Sequence, residues 1–100
     1  MEIKKTKDTG KLTIDIDGRL DTTTAPQLEK ELGEQLNGVT ELVFDLEKLE
    51  YISSAGLRVL LSAQKTMNKQ GKMVVKNANE AVMEIFDVTG FVDILNIEGA

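Results

Sequence analysis

Neither cysteine nor histidine occurs in this 100-residue chain, and each absence removes a class of chemistry. Without cysteine there is no disulfide, no zinc–thiolate centre and no thiol nucleophile. Without histidine no Ser-His or Cys-His pair can be assembled, and no side chain titrates near neutral pH at its ordinary value. The G-x-S-x-G nucleophile elbow and the G-x-x-x-x-G-K-[ST] phosphate loop are also missing. An enzyme is therefore not expected. No apolar run approaches the roughly 20 residues that cross a bilayer, and the N-terminus lacks the basic and apolar regions of an export signal. That points to a cytoplasmic protein without membrane attachment. Basic charge is in deficit as well: 12 Lys and Arg against 17 Asp and Glu leave a net charge of −5. Nucleic acid is a poor partner for such a surface, because affinity for phosphate backbones rests mainly on Lys and Arg.

What remains is an ordinary globular composition, 41 % hydrophobic and 29 % charged, in a length that suits one domain spanning residues 1–100. So small a chain needs nearly all its apolar residues for a core, which leaves little for a cofactor cavity. Asp15, Asp17 and Asp21 raise the question of a hard-cation site. Asp15 and Asp17 share one face of a strand, however, and calcium loops carry a denser oxygen pattern. No metal and no cofactor are expected.

Leu12, Ile14 and Ile16 alternate with Thr13, Asp15 and Asp17, the period of a half-buried strand. With residues 2–7 and the turn Asp8-Thr9-Gly10 this predicts an N-terminal hairpin that ends at Asp17-Gly18. Lys4-Lys5-Thr6-Lys7 reads as a solvated edge strand. A first helix starts near Thr24, with Thr22, Thr23 and Thr24 offering capping hydroxyls and Pro26 in the first turn. Leu28, Leu32 and Leu36 form its buried stripe, and Asn37-Gly38 stops it. Leu42 to Leu46 is a nearly continuous apolar run, as in an inner strand covered on both faces. A second helix follows over about 54–69, then a strand at Met73-Val74-Val75, a third helix from Glu80 to Phe86, and a short closing element from Phe91 to Ile97. The fold class is α/β: a mixed sheet of four to five strands with an N-terminal hairpin and three to four helices.

One segment is locally unusual. Tyr51-Ile52-Ser53-Ser54-Ala55-Gly56-Leu57 sets two serines and a glycine where the connection from an inner strand enters an apolar helix. Serine is a favoured helix cap, and glycine lets a helix approach a sheet, so structure alone accounts for the pattern. The carboxyl ends of strands are also the usual functional edge of an open α/β sheet.

Four stretches, in order, resemble the STAS domain, and specifically the stand-alone bacterial anti-sigma factor antagonists. Gly18-Arg19-Leu20-Asp21 matches the family's G-x-L-D, and Ala25-Pro26-Gln27-Leu28 matches the start of its first helix. Leu42 to Leu46, followed by Leu49 to Leu57, resembles its signature, and Val88-Thr89-Gly90-Phe91 its C-terminal turn. The resemblance implies a protein-binding regulator whose partner is an anti-sigma factor, often itself a serine kinase of the histidine-kinase-like ATPase type. It implies phosphorylation at Ser54, with Ser53 as a secondary acceptor, and a partner surface of Asp21, Ile52, Ser53, Ser54, Gly56 and Leu57. Ser53 stands where many members carry aspartate, so an interaction module without a phosphorylation switch stays open. An exposed apolar surface is expected around Ile52, Leu57 and the outer face of the second helix, with Val59 and Met67 divided between that surface and the core.

Overall fold

The computed structural model describes residues 1–98. In chain order its elements are β1 (Glu2–Asp8), β2 (Lys11–Leu20), α1 (Ala25–Gln35), β3 (Glu41–Asp45), β4 (Leu49–Ile52), α2 (Ser54–Gln70), β5 (Lys72–Lys76), α3 (Glu80–Val88), a 3-10 turn (Phe91–Asp93) and β6 (Ile97–Glu98). β1 and β2 form the antiparallel hairpin, and every other pairing is parallel. The sheet runs β1-β2-β3-β5-β6, with β4 beside the far half of β2.

Strand alternation decides which residues make the core. Leu12, Leu42 and Met73 lie in one cross-strand row, and Ile14, Phe44 and Val75 in another. Both rows are buried in one cluster with Leu28 and Leu32 of α1, Leu60 and Met67 of α2, and Val82 and Phe86 of α3. All three helices therefore cover the same face. This corrects the expectation that β3 is covered on both faces. On the opposite face Asp8, Lys11, Glu41 and Lys72 form a row of alternating sign, and Thr6, Thr13, Val43 and Val74 form the row beside it. Val43 and Val74 are buried at 6 % exposure yet lie outside the main cluster. Long charged neighbours can shelter such side chains with their aliphatic stems.

Two strands went unrecognised in the sequence, which is why the sheet has six rather than four or five. β4 is four residues long, and only its ends, Leu49 and Ile52, are buried, so it has no alternating signal. β6 is two residues long. The expected stop at Asp17-Gly18 also fails. Gly18 takes a φ of 109°, a conformation open to glycine, and the register shifts there as β2 continues to pair Arg19 with Tyr51 and Leu20 with Ile52. Glycine thus makes a bulge instead of an end. β1, with Lys4, Lys5 and Lys7 exposed, is an edge strand as expected. Among the described residues no helix is long and apolar enough to cross a membrane.

Candidate functional site

β2 and β4 end side by side, several residues beyond the carboxyl end of β3, and the chain leaves them in two directions. After Leu20 it turns at Asp21 into α1. After Ile52 it turns at Ser53 into α2. The Ser53 N–H donates to the Leu20 carbonyl at 2.9 Å, which ties the two exits together.

Gly56 sets how closely α2 can approach. A Cβ at this position would lie 2.7 Å from Leu20 Cγ, 2.8 Å from Ile52 Cγ1 and 3.0 Å from the Leu20 carbonyl oxygen. The first turn of α2 therefore rests directly on the strand ends. Ile52 is 1 % exposed and Leu57 5 %, so both are part of that contact and offer no surface to a partner. Val59 and Met67 are buried in the same core. Ile52, Leu57, Val59 and Met67 therefore do not form the expected exposed apolar face, because they fill the space between α2 and the sheet; the large apolar side chain exposed at this edge is Tyr51.

The two serines have different roles. Ser53 is the N-cap of α2, with an extended backbone, and its Oγ accepts from the Gly56 N–H at 3.5 Å. Ser54 is the first helical residue and is exposed. Its hydroxyl has no hydrogen-bond partner among the described residues, and the same holds for the N–H groups of Ser54 and Ala55. Free N–H groups at a helix start favour negative charge.

Asp21 organises the other exit. Its Oδ1 accepts from the N–H of Thr23 at 3.0 Å and of Thr24 at 3.2 Å. The Thr24 hydroxyl does not cap α1 as expected. It donates to the Arg19 carbonyl at 2.8 Å and accepts from the Asp21 N–H at 2.8 Å. Partial desolvation acts to raise the Asp21 pKa, but the backbone and hydroxyl donors of Thr24 and Thr23 outweigh it and hold the carboxyl below its ordinary value. A third link joins the strands from outside. The Arg19 guanidinium lies 4.6 Å from the centre of the Tyr51 ring, and its Nε is 3.8 Å from Asp21 Oδ2.

Beside Ser54, an open groove of about 180 Å³ runs between the starts of α1 and α2, lined by Thr22, Pro26, Ala55 and Arg58 among others. Arg19, Tyr51 and this groove were not found from the sequence. Arg19 and Tyr51 become neighbours only through β4, which carries no periodic signal. Ser62 and Lys65 have S-x-x-K spacing, and both lie on the exposed face of α2. Among the described residues no three Asp or Glu side chains converge as a metal site. Structure thus brings together Asp21, Ser53, Ser54 and Gly56 at one edge, with Ile52 and Leu57 beneath them.

The STAS domain model matches residues 1–99. BtrV of Bordetella bronchiseptica, by its name a candidate anti-sigma factor antagonist, is 37 % identical over 99 residues, covering 97 % of this chain and 85 % of its own. The anti-sigma-B factor antagonist of Bacillus subtilis is 31 % identical over 87 residues, covering 86 % and 80 %. Among solved structures, the phosphorylated form of the Bacillus cell fate determinant SpoIIAA superposes with a TM-score of 0.79 at 16 % identity, covering 99 % of this chain and 91 % of that one. On the family match along its length and on relatives above 30 % identity, this chain belongs to the STAS domain family, among proteins named anti-sigma factor antagonists.

Proposed function

We propose that this protein binds an anti-sigma factor through the edge formed by Asp21, Ser53, Ser54 and the groove at Arg58, and that phosphorylation of Ser54 ends the binding. The names of its relatives support the first part. One observation carries the second: Ser54 is exposed with a free hydroxyl, whereas the Ser53 hydroxyl is engaged with the Gly56 N–H. SpoIIAA, the related fold, has been solved in a phosphorylated form.

A phosphate on Ser54 would sit at the start of α2, within reach of its own free N–H groups, and the domain would stay folded. It would add about −1.5 to −2 charges close to the ionised Asp21. A partner surface fitted to a neutral hydroxyl would then meet repulsion and lose solvation without compensation. The domain supplies only the acceptor. ATP, Mg²⁺ and the catalytic base belong to the kinase, expected to be the histidine-kinase-like ATPase that is also the anti-sigma factor.

The second reading is an interaction module on the same edge that is not switched. It is favoured by Ser53, which stands where many members carry aspartate. Capture of partners from the source organism by wild-type and Ser54→Asp protein separates the two. The switched reading expects an ATPase of this type to be retained by the wild type and lost by the variant. Equal retention overturns the switch and leaves the unswitched module.

A further inference from the structure

The chain's excess negative charge is confined to its last quarter. Residues 1–76 contain as many basic as acidic side chains, whereas residues 77–100 contain Glu80, Glu84, Asp87, Asp93 and Glu98 and no lysine or arginine. Each ion pair among the described residues joins groups within residues 1–76, so none of these carboxylates is neutralised by one. The same segment presents three of the four large apolar side chains that are exposed among the described residues: Val88 at 76 %, Val92 at 39 % and Ile94 at 45 %.

These side chains are held on a firm mount. Val82 and Phe86 fix the inner face of α3 in the core, and Leu95 is buried just after the 3-10 turn. The Thr89 N–H donates to the Ile85 carbonyl at 3.1 Å, and the N–H groups of Ile94 and Leu95 donate to the Phe91 carbonyl at 3.0 and 2.9 Å. Glu84 and Val88, four residues apart, share the exposed face of α3. Single exposed apolar residues are ordinary on any surface, but three within seven residues, set among unpaired carboxylates, form a patch of defined chemistry.

We propose that this acidic, apolar knob is a second docking surface, for a segment of a partner protein that presents apolar side chains among lysines and arginines. Apolar contact there would be anchored by Val88, Val92 and Ile94. The surrounding carboxylates attract a basic partner and repel an acidic one or an anionic bilayer. α3 begins beside the carboxyl ends of the strands, where Asn79 Nδ2 donates to the Leu49 carbonyl at 2.9 Å. The chain must then return before β6 can pair in parallel with β5 at Val75 and Ile97. Val88 lies at the opposite end of α3 from Asn79, and the 3-10 turn follows it.

The test titrates the ¹⁵N-labelled full chain with a synthetic helical peptide bearing leucines on one face and lysines elsewhere, followed by two-dimensional NMR. A peptide with glutamate in place of lysine is the control. The lysine peptide is expected to shift the amides of residues 84–95, leave those of residues 53–58 in place, and bind more weakly as salt is raised. V88S/I94S changes only exposed side chains, and an unaltered spectrum elsewhere verifies its fold. It is expected to weaken binding by about tenfold or more, and E84Q/D87N/D93N to remove the salt dependence. Absence of shifts, shifts spread over every acidic surface, equal binding by V88S/I94S, or equal binding of the glutamate peptide would overturn the proposal. So would shifts at residues 84–95 that arise from protein concentration alone, since a second copy would then be the occupant.

Discussion

Gly56 and Asp21 hold the candidate site in shape by different means. At Gly56 the constraint is space, because a methyl carbon added there would lie 3.0 Å from the backbone oxygen of Leu20. Gly56→Ala is expected to destabilise the domain by about 1–3 kcal/mol, in spite of alanine's better helix propensity, since overpacking outweighs propensity. Gly33 supplies the contrast: it is exposed on α1, and a Cβ there meets nothing within 4 Å. Gly33→Ala should stabilise by about 0.5–1 kcal/mol. Urea denaturation of both variants checks the pair, and equal effects would contradict the packing account. At Asp21 the constraint is electrostatic. Its carboxyl is held below its ordinary pKa by the Thr24 and Thr23 donors that overcome its desolvation. A group with a depressed folded pKa adds stability above its unfolded value, about 3.9, and loses that contribution as pH falls through the folded value. Asp21→Asn should therefore flatten the fall in stability below about pH 4. An unchanged acid limb in urea midpoints measured across that range would refute the assignment.

Among the elements, α1, α2, β3 and β5 were legible because each carries a long or strongly apolar period. Leu28 and Leu32 mark the inner face of α1, and all three of Leu42, Val43 and Phe44 are buried in β3. β4 was not legible, since Leu49 and Ile52 are its only buried residues and a strand so short shows no alternation. Its existence depends on Gly18, whose bulge lets β2 run on to receive it. That bulge is a tertiary fact, and in sequence Asp17-Gly18 reads as a turn. The site was legible to a similar degree. Ser54 and Asp21 stand at the edge expected of them. Ile52 and Leu57 carry the same apolar character in a core as on a surface, and only the approach of α2 decides between the two. β4 is also tied to α3 by Asn79, whose side chain accepts from the Val82 N–H at 2.8 Å and donates to the Leu49 carbonyl at 2.9 Å. Asn79→Ala removes a helix cap and a strand anchor together, and a loss of about 1–2 kcal/mol is expected. Hydrogen exchange should show faster opening of β4 and α3 than of β3. Uniform loss of protection would argue against this local role.

At the scale of the whole molecule, three helices cover one face of the sheet and leave the other as a charged surface. At the carboxyl edge, an exposed serine hydroxyl stands at the start of α2, and the Ser53 N–H before it is tied to the carbonyl of Leu20, next in sequence to Asp21. Adding a phosphate there changes charge without disturbing the core, so stability and binding should respond separately. The most direct measurement incubates the protein with ATP and the ATPase it captures, then maps phosphate on the peptide spanning residues 52–58 and retests binding of the modified form. A single phosphate on Ser54, an unaltered fold and lost capture is the predicted result. Phosphate on Ser53 instead, no phosphate at all, or undiminished capture of a Ser54-phosphorylated chain would contradict the account.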